Sequence, residues 1–141
     1  MALSSLFVLG QLASTLPLVG LIWTIQVVHY PLFGAVGAPG FVGYHARHST
    51  RISLVVMPLM LVELATTIGS VVVDTGRWIA LIPVAVVWAT TFLISVPLHG
   101  RLGTGFDARA HRALVVTNWI RTAAWTAHGA GLLATVAPAL T

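Results

Sequence analysis

Histidines are the residues of this chain best suited to chemistry, and three of its six lie at the end of one apolar segment and in the connection that follows it. His45 and His48 stand three residues apart, so a helix through them places both imidazoles on one face, where they can bind one ion. His29 and His99 are predicted to end the first and third apolar segments at a similar depth. Together the four side chains predict a transition-metal site of three or four imidazoles.

The chain has no cysteine, which excludes disulfides, thiolate nucleophiles and cysteine-ligated zinc or iron–sulfur sites. Imidazole suits iron, copper, nickel and zinc. We therefore expect an open, reactive centre that holds iron or copper, and zinc is the less suitable ion. The competing interpretation is that interfacial histidines are amphipathic residues, neutral and hydrogen-bonded to water or backbone groups. His111, between Arg109 and Arg112 in a polar link, fits that second interpretation better.

Glu63 is the acidic residue inside an apolar segment, and a carboxylate in hydrocarbon is costly enough to be a candidate functional group. Its candidate partners recur at three- and four-residue steps along one face of the fourth segment: Asn118, Arg121, Trp125 and His128. In one interpretation Glu63 is catalytic or relays a proton, and Asn118 and Arg121 orient an oxyanion. In the other, a buried pair of Glu63 with Arg121 or His128 fixes the helix register. Both interpretations require Glu63 to face inward.

The histidines and Glu63 are predicted to form separate polar centres. His48 and Glu63 are fifteen positions apart in the sequence, which corresponds to about 22 Å along a helix. One ion cannot contact both residues. The sequence therefore predicts one centre at the membrane interface and another nearer the middle of the bilayer.

The composition predicts the elements that must position these residues. Hydrophobic residues make up 57% of the 141 residues and charged residues only 7%, whereas about a quarter of the residues in a soluble domain are charged. Four apolar segments are each close to the length that crosses ~30 Å of hydrocarbon: residues 6–29, 52–73, 78–98 and 113–137. The sequence predicts an all-α fold, a single integral membrane domain over residues 1–141 built as an antiparallel bundle of four transmembrane helices. Pro31 is the predicted end of the first helix.

Arginines set the predicted orientation in the cell membrane. Five of the seven lie in the first and third connections, whereas Arg77 alone lies in the second. The positive-inside rule therefore places the two histidine-rich connections in the cytoplasm and both termini outside. We interpret the net charge of +4 as this topology and expect no nucleic-acid partner, because the chain has no basic soluble domain. The expected partners are the lipid bilayer, a small hydrophobic substrate and, since so small a bundle has little core, further copies of the chain.

Three short stretches carry a resemblance to a known family: Thr91–Leu102, Asn118–Thr122 and Val28–Pro31. Thr91–Leu102 resembles the T-x-x-x-x-x-P-x-N-x-x-L pattern that ends the third helix of the small four-helix anthrone oxygenase-like membrane proteins. Asn118–Thr122 is similar to its H-x-x-R-T stretch, and Val28–Pro31 resembles its E-H-P ending of the first helix. His99 stands where the family has asparagine, and Asn118 stands where it has histidine.

The resemblance implies an activity and a set of positions. Family members implicated in polyketide tailoring oxidise anthrones to anthraquinones with O₂, so the resemblance implies an oxygenase that acts on an aromatic substrate. The positions that the resemblance implicates are His29, Pro97, His99, Asn118 and Arg121. Exchanged imidazoles would fit a relative that has gained a metal.

These observations predict a membrane-embedded, metal-dependent oxidoreductase or oxygenase that acts on a small hydrophobic substrate. The predicted metal ligands, near the cytoplasmic face, are His29, His45, His48 and His99. The predicted catalytic residues are Glu63, Asn118 and Arg121. One alternative is a proton-coupled transporter or channel subunit in which Glu63, Arg121 and His128 line an ion path. The other is a structural membrane scaffold whose histidines are incidental.

Overall fold

The computed structural model describes residues 3–139, and this part of the chain is helical apart from short connections. It consists of four long helices: Leu3–Ala35, Ala38–Val73, Thr75–Leu102 and Ala108–Val136. A 3-10 turn, Ala137–Ala139, follows the fourth helix. The prediction of an all-α fold is confirmed. The predicted domain, 1–141, includes two residues at each end that lie outside the described range.

Three of the helices, the first to the third, are long and apolar enough to cross a membrane. The outside of the bundle is apolar, as in Leu54, Val72 and Leu93, which are 71%, 76% and 76% exposed. The fourth helix is less apolar because polar side chains interrupt it, among them Asn118 and Arg121. Both are buried, so they lower the hydropathy of the helix without making its outer surface polar.

The first and fourth helices form the centre of the bundle. The first helix packs against the second and the fourth, and the fourth also packs along the third. His45, near the start of the second helix, contacts His99, near the end of the third. The second and third helices are therefore antiparallel, as the short connection between them predicts.

Two π-helical turns interrupt the first and third helices, and each directly precedes a residue–proline pair. Ile25–His29 precedes Pro31, and Thr91–Ser95 precedes Pro97. Inside an α-helix the proline ring clashes with the carbonyl of the preceding turn. A wider π turn relieves this clash, so the helix continues. The prediction that the first helix ends at Pro31 is wrong for this reason.

Asp107 fixes the start of the fourth helix. Its Oδ1 accepts hydrogen bonds from the backbone N–H groups of Ala110, at 3.1 Å, and Arg109, at 2.8 Å. These bonds from Ala110 and Arg109 lower the pKa of the Asp107 carboxyl, as expected for a carboxylate at a helix N-terminus. The chain reaches this cap through Gly105, whose φ of +152° is one that side chains rarely adopt. The cap sets the register of the polar residues further along the helix.

The first two helices approach closely at Gly10, where a side chain is expected to destabilise the bundle. A Cβ atom on Gly10 would lie 2.6 Å from Thr66 Cγ2. Thr66 is held in place because its hydroxyl donates to the Val62 carbonyl at 2.7 Å. We expect Gly10→Ala to lower the free energy of unfolding by about 1–3 kcal/mol, measured by titration with dodecyl sulfate in mixed micelles.

The matched control is Gly20→Ala, since a Cβ atom there would meet no atom within 4 Å. Alanine also has the higher helix propensity, so this variant is expected to keep or slightly raise stability. Equal losses in the two variants would contradict the close packing at Gly10.

Candidate functional site

Phe33 lies at the centre of the site, fully buried at 0% exposure. Imidazole rings surround it, with centroid distances from 5.0 to 6.5 Å. The surrounding residues are His29, His45, His48, His99 and His111. Five of the six histidines therefore lie around one phenylalanine, whose central position no sequence pattern indicated.

Four of these residues, His29, His45, His48 and His99, form what we call the histidine cluster. His29 Nε2 lies 2.7 Å from His48 Nδ1, and His45 Nε2 lies 2.9 Å from His99 Nδ1. The rings of His48 and His99 are 6.0 Å apart between centroids. The cluster therefore consists of two hydrogen-bonded imidazole pairs placed side by side, contributed by three helices.

Local helix geometry positions the cluster. His29 is the last residue of the first π turn, and His99 follows the second π turn by one helical turn. His45 and His48 lie on the continuous second helix, which begins at Ala38. Both side chains contact other imidazoles of the cluster, His45 that of His99 and His48 that of His29. The prediction that His45 and His48 share a helix face is therefore confirmed.

Tyr30 extends the cluster. Its hydroxyl lies 2.9 Å from His99 Nε2, so His99 is hydrogen-bonded at both ring nitrogens. Tyr30, His99 and His45 form a continuous hydrogen-bonded chain. Sequence reasoning gave Tyr30 no chemical role, and the signal that could have found it is Pro31, which follows the π turn that ends beside Tyr30.

His111 has a different partner from the histidine cluster. Its Nε2 lies 2.8 Å from the backbone carbonyl oxygen of Tyr30. This contact joins the fourth helix to the first, as expected for a histidine with a structural role. His111 is therefore a useful control for experiments on the cluster.

The imidazole pairs are the groups of the cluster that could hold a metal ion. Within residues 3–139, no group of three or more histidine, aspartate or glutamate side chains is arranged as a metal site. The paired nitrogens are 2.7 and 2.9 Å apart. Two nitrogens bound at right angles to one ion, with bonds of ~2.0–2.1 Å, lie about 3 Å apart. Each pair thus has nearly the spacing of two neighbouring ligands, and further ligands would come from water or substrate.

A cavity of about 280 Å³ lies against the cluster. Tyr30, His99 and Arg121 are among its polar lining residues, and apolar side chains such as Met57 and Phe92 make up much of the remainder. Its volume is close to the lower end of the range for small-molecule sites. The cavity therefore brings one imidazole of the cluster, a phenol and a guanidinium to one small apolar space.

Arg121 is buried at 6% exposure. One of its nitrogens donates to Asn118 Oδ1 at 3.3 Å, and the guanidinium lies 5.0 Å from the centre of the Trp125 ring. The Tyr30 hydroxyl is also close to it. Arg121 Nε has no hydrogen-bond partner in the described part of the chain, where no carboxylate pairs with this guanidinium either. A buried guanidinium of this kind is suited to an anionic or carbonyl oxygen of a ligand.

Asn118 acts through its neighbours. It is fully buried, its amide nitrogen donates to Gln26 Oε1 at 2.8 Å, and its oxygen accepts from Arg121. Gln26 in turn donates to the Val115 carbonyl oxygen at 3.1 Å. Asn118 does not line the cavity, so this arrangement fits a residue that positions Arg121.

Glu63 forms the second polar centre and is 0% exposed. Its Oε1 accepts from the Thr15 hydroxyl at 3.0 Å and lies 2.9 Å from His128 Nδ1, while its Oε2 accepts from Trp125 Nε1 at 3.0 Å. The prediction that Glu63 faces inward is confirmed. Of the two predicted pairs, the structure contains the hydrogen-bonded pair with His128, and the pair with Arg121 does not form.

The two polar centres are linked through Trp125. Its indole N–H donates to Glu63, and the Arg121 guanidinium lies over its ring. The sequence placed these residues on one helix face but gave no sign of this bridge.

Comparison of the chain with protein-family models, curated proteins and solved structures finds no match.

Proposed function

We propose that this chain is a membrane-embedded oxidoreductase that acts on a small hydrophobic substrate and binds a transition metal through the histidine cluster. The observation that carries the proposal is the pairing of four imidazoles, one of which, His99, lines a cavity together with a buried guanidinium. Iron or copper held by these imidazoles would supply the redox chemistry.

The residues around the cavity have separate tasks in this proposal. Arg121 binds an oxygen atom of the substrate, held in place by Asn118 on one side and the Trp125 ring on the other. Tyr30 relays a proton between a substrate hydroxyl and the His99 imidazole to which it is hydrogen-bonded. Glu63 contributes at a distance, because its hydrogen bond orients the Trp125 ring under the guanidinium.

We propose further that all four helices cross the membrane, with both termini outside and the histidine cluster near the cytoplasmic face. The fourth helix joins the spans because Asn118, Arg121 and His128, the polar residues that interrupt its apolar stretch, are buried. The arginine distribution supports the orientation. We also propose that the chain assembles into a homo-oligomer. Its substrate would be a phenol of the kind that anthrone oxygenases use.

Metal analysis tests the proposal. Protein purified without a histidine tag is expected to contain about one or two transition-metal ions per chain, because each imidazole pair supplies two ligands. His45→Ala and His48→Ala should each lose a large part of this metal. The measurement is elemental analysis by mass spectrometry after exhaustive dialysis against metal-free buffer.

His111→Ala is the matched control and should retain the metal, because the partner of that imidazole is a backbone carbonyl. A folded wild-type protein that contains no metal and takes up none from added iron or copper salts would refute the proposal. Such a result would favour the scaffold interpretation, in which the histidines only join helices.

A proton-coupled transporter is the second candidate, and one observation favours it. Glu63 and His128 form a fully buried carboxylate–imidazole pair, the kind of group that carries protons in membrane proteins. In liposomes, Glu63→Gln would then abolish proton flux while leaving the metal content unchanged. Flux that persists in this variant would exclude the role.

A further inference from the structure

A groove of about 760 Å³ lies between the third and fourth helices. The fourth helix lines it with small residues at four-residue spacing, Ala123, Ala127 and Gly131, and the third helix lines it with apolar residues such as Ile82 and Pro83. The groove lies along the first part of the third helix, whereas the histidine cluster contacts the end of that helix. It is therefore a separate site, and its occupancy does not depend on the oxidoreductase proposal.

His128 gives this groove a polar atom. The residue lines the groove, is 4% exposed, and its Nδ1 lies 2.9 Å from Glu63 Oε1. Its Nε2 is buried and has no hydrogen-bond partner among residues 3–139. A buried polar atom left without a partner is costly, and an occupant of the groove could supply that partner.

The hydrogen bonds of Glu63 indicate which kind of partner fits. An ionised Glu63 can only accept, and it accepts from Thr15 and Trp125 as well as from His128. With Glu63 ionised and His128 neutral, the imidazole proton lies on Nδ1, and Nε2 carries a lone pair that no group among residues 3–139 fills. The groove therefore offers a hydrogen-bond acceptor inside an apolar lining.

We propose that the groove binds a lipophilic molecule with a hydroxyl group, whose O–H donates to His128 Nε2. A purely apolar occupant, such as an acyl chain, would leave the nitrogen unpaired. A hydroxyl compound satisfies the nitrogen and places its apolar body against the small residues of the fourth helix.

Nitrogen NMR can test this binding directly. The chain, with ¹⁵N-labelled histidine, is placed in phosphatidylcholine nanodiscs, because this lipid has no hydroxyl group. The probe is 4-octylphenol, and the comparator is 4-octylanisole, in which a methyl ether replaces the O–H. We expect a saturable shift of the His128 Nε2 resonance with the phenol and none with the ether. No shift, a shift that never saturates, or equal shifts with both compounds would overturn the proposal.

The resonance is assigned from its loss in His128→Gln, and a second pair of variants keeps the test valid if that protein does not fold. A Cβ atom on Gly131 would meet no atom within 4 Å, so Gly131→Leu extends into the groove without displacing the backbone. It should remove the saturable shift. Gly20→Leu, at an equally open position on the first helix, should retain it. Binding that survives Gly131→Leu would place the phenol elsewhere and refute this site.

Discussion

Replacing Glu63 with alanine is expected to lower the free energy of unfolding by about 3–5 kcal/mol, the loss seen when one partner of a buried pair is removed. The substitution deprives Thr15, Trp125 and His128 of their common acceptor. Hydrogen bonds in membrane bundles contribute ~0.6–1.7 kcal/mol each, so three of them, with the unpaired donors left behind, give a loss of this size. The measurement is the equilibrium between the folded and dodecyl sulfate-unfolded protein, followed by tryptophan fluorescence.

Two variants show whether the loss comes from the hydrogen bonds. Glu63→Gln keeps one acceptor oxygen and should lose clearly less stability than the alanine variant. Leu61→Ala shortens a side chain that is 53% exposed on the same helix and should have a small effect. If Glu63→Ala were no worse than Leu61→Ala, the carboxylate would not organise the three helices that it joins.

Phe33→Ala is expected to cost about 3–5 kcal/mol as well, the usual range for a buried phenylalanine. The ring is fully buried, and imidazoles contact it from several sides. The cavity left by the substitution would loosen the positions of His29 and His48, so the metal content should fall together with the stability. Both quantities can be measured on one preparation, by denaturant titration and elemental analysis.

Phe92→Ala is the matched control because Phe92 is 45% exposed and stacks only on Trp88 among the aromatic rings of the described chain. It should cost less stability and leave the metal in place. Phe33→Leu retains much of the buried volume and should lie between the two variants. A Phe33→Ala protein as stable as Phe92→Ala, with its metal retained, would contradict the central role of Phe33.

The helices and the inward direction of Glu63 could be predicted from the sequence. A polar side chain in so apolar a chain has few favourable positions other than the protein interior. Hydropathy locates the helices, and three- and four-residue spacing selects the face that carries Trp125 and His128. The convergence of the histidines follows from topology alone, since they end or begin helices that are antiparallel. These features depend on composition and on the spacing of residues along a helix, and both can be read from the sequence.

The choice of partners could not be predicted in the same way. Arg121 and His128 lie on one face of the fourth helix, so both were reasonable partners for Glu63 until the depth and rotation of the helices were known. Those depend on local geometry that a residue pattern does not encode, such as the close approach at Gly10 and the π turns. Pro31 indicated a helix end, whereas a wider turn lets the helix continue and brings Tyr30 into the site.

His99 is hydrogen-bonded at both ring nitrogens, so the proton positions at Tyr30 and at His45 depend on each other. A neutral imidazole donates from one nitrogen and accepts at the other. When Nε2 accepts from the Tyr30 hydroxyl, Nδ1 must donate to His45; when Nε2 donates to Tyr30, His45 must donate to Nδ1. The three side chains therefore share two collective proton arrangements of opposite direction. When the Tyr30 hydroxyl beside the cavity changes from donor to acceptor, the tautomer of His45 on the second helix reverses. The occupancy of the cavity and the proton positions in the cluster are therefore coupled.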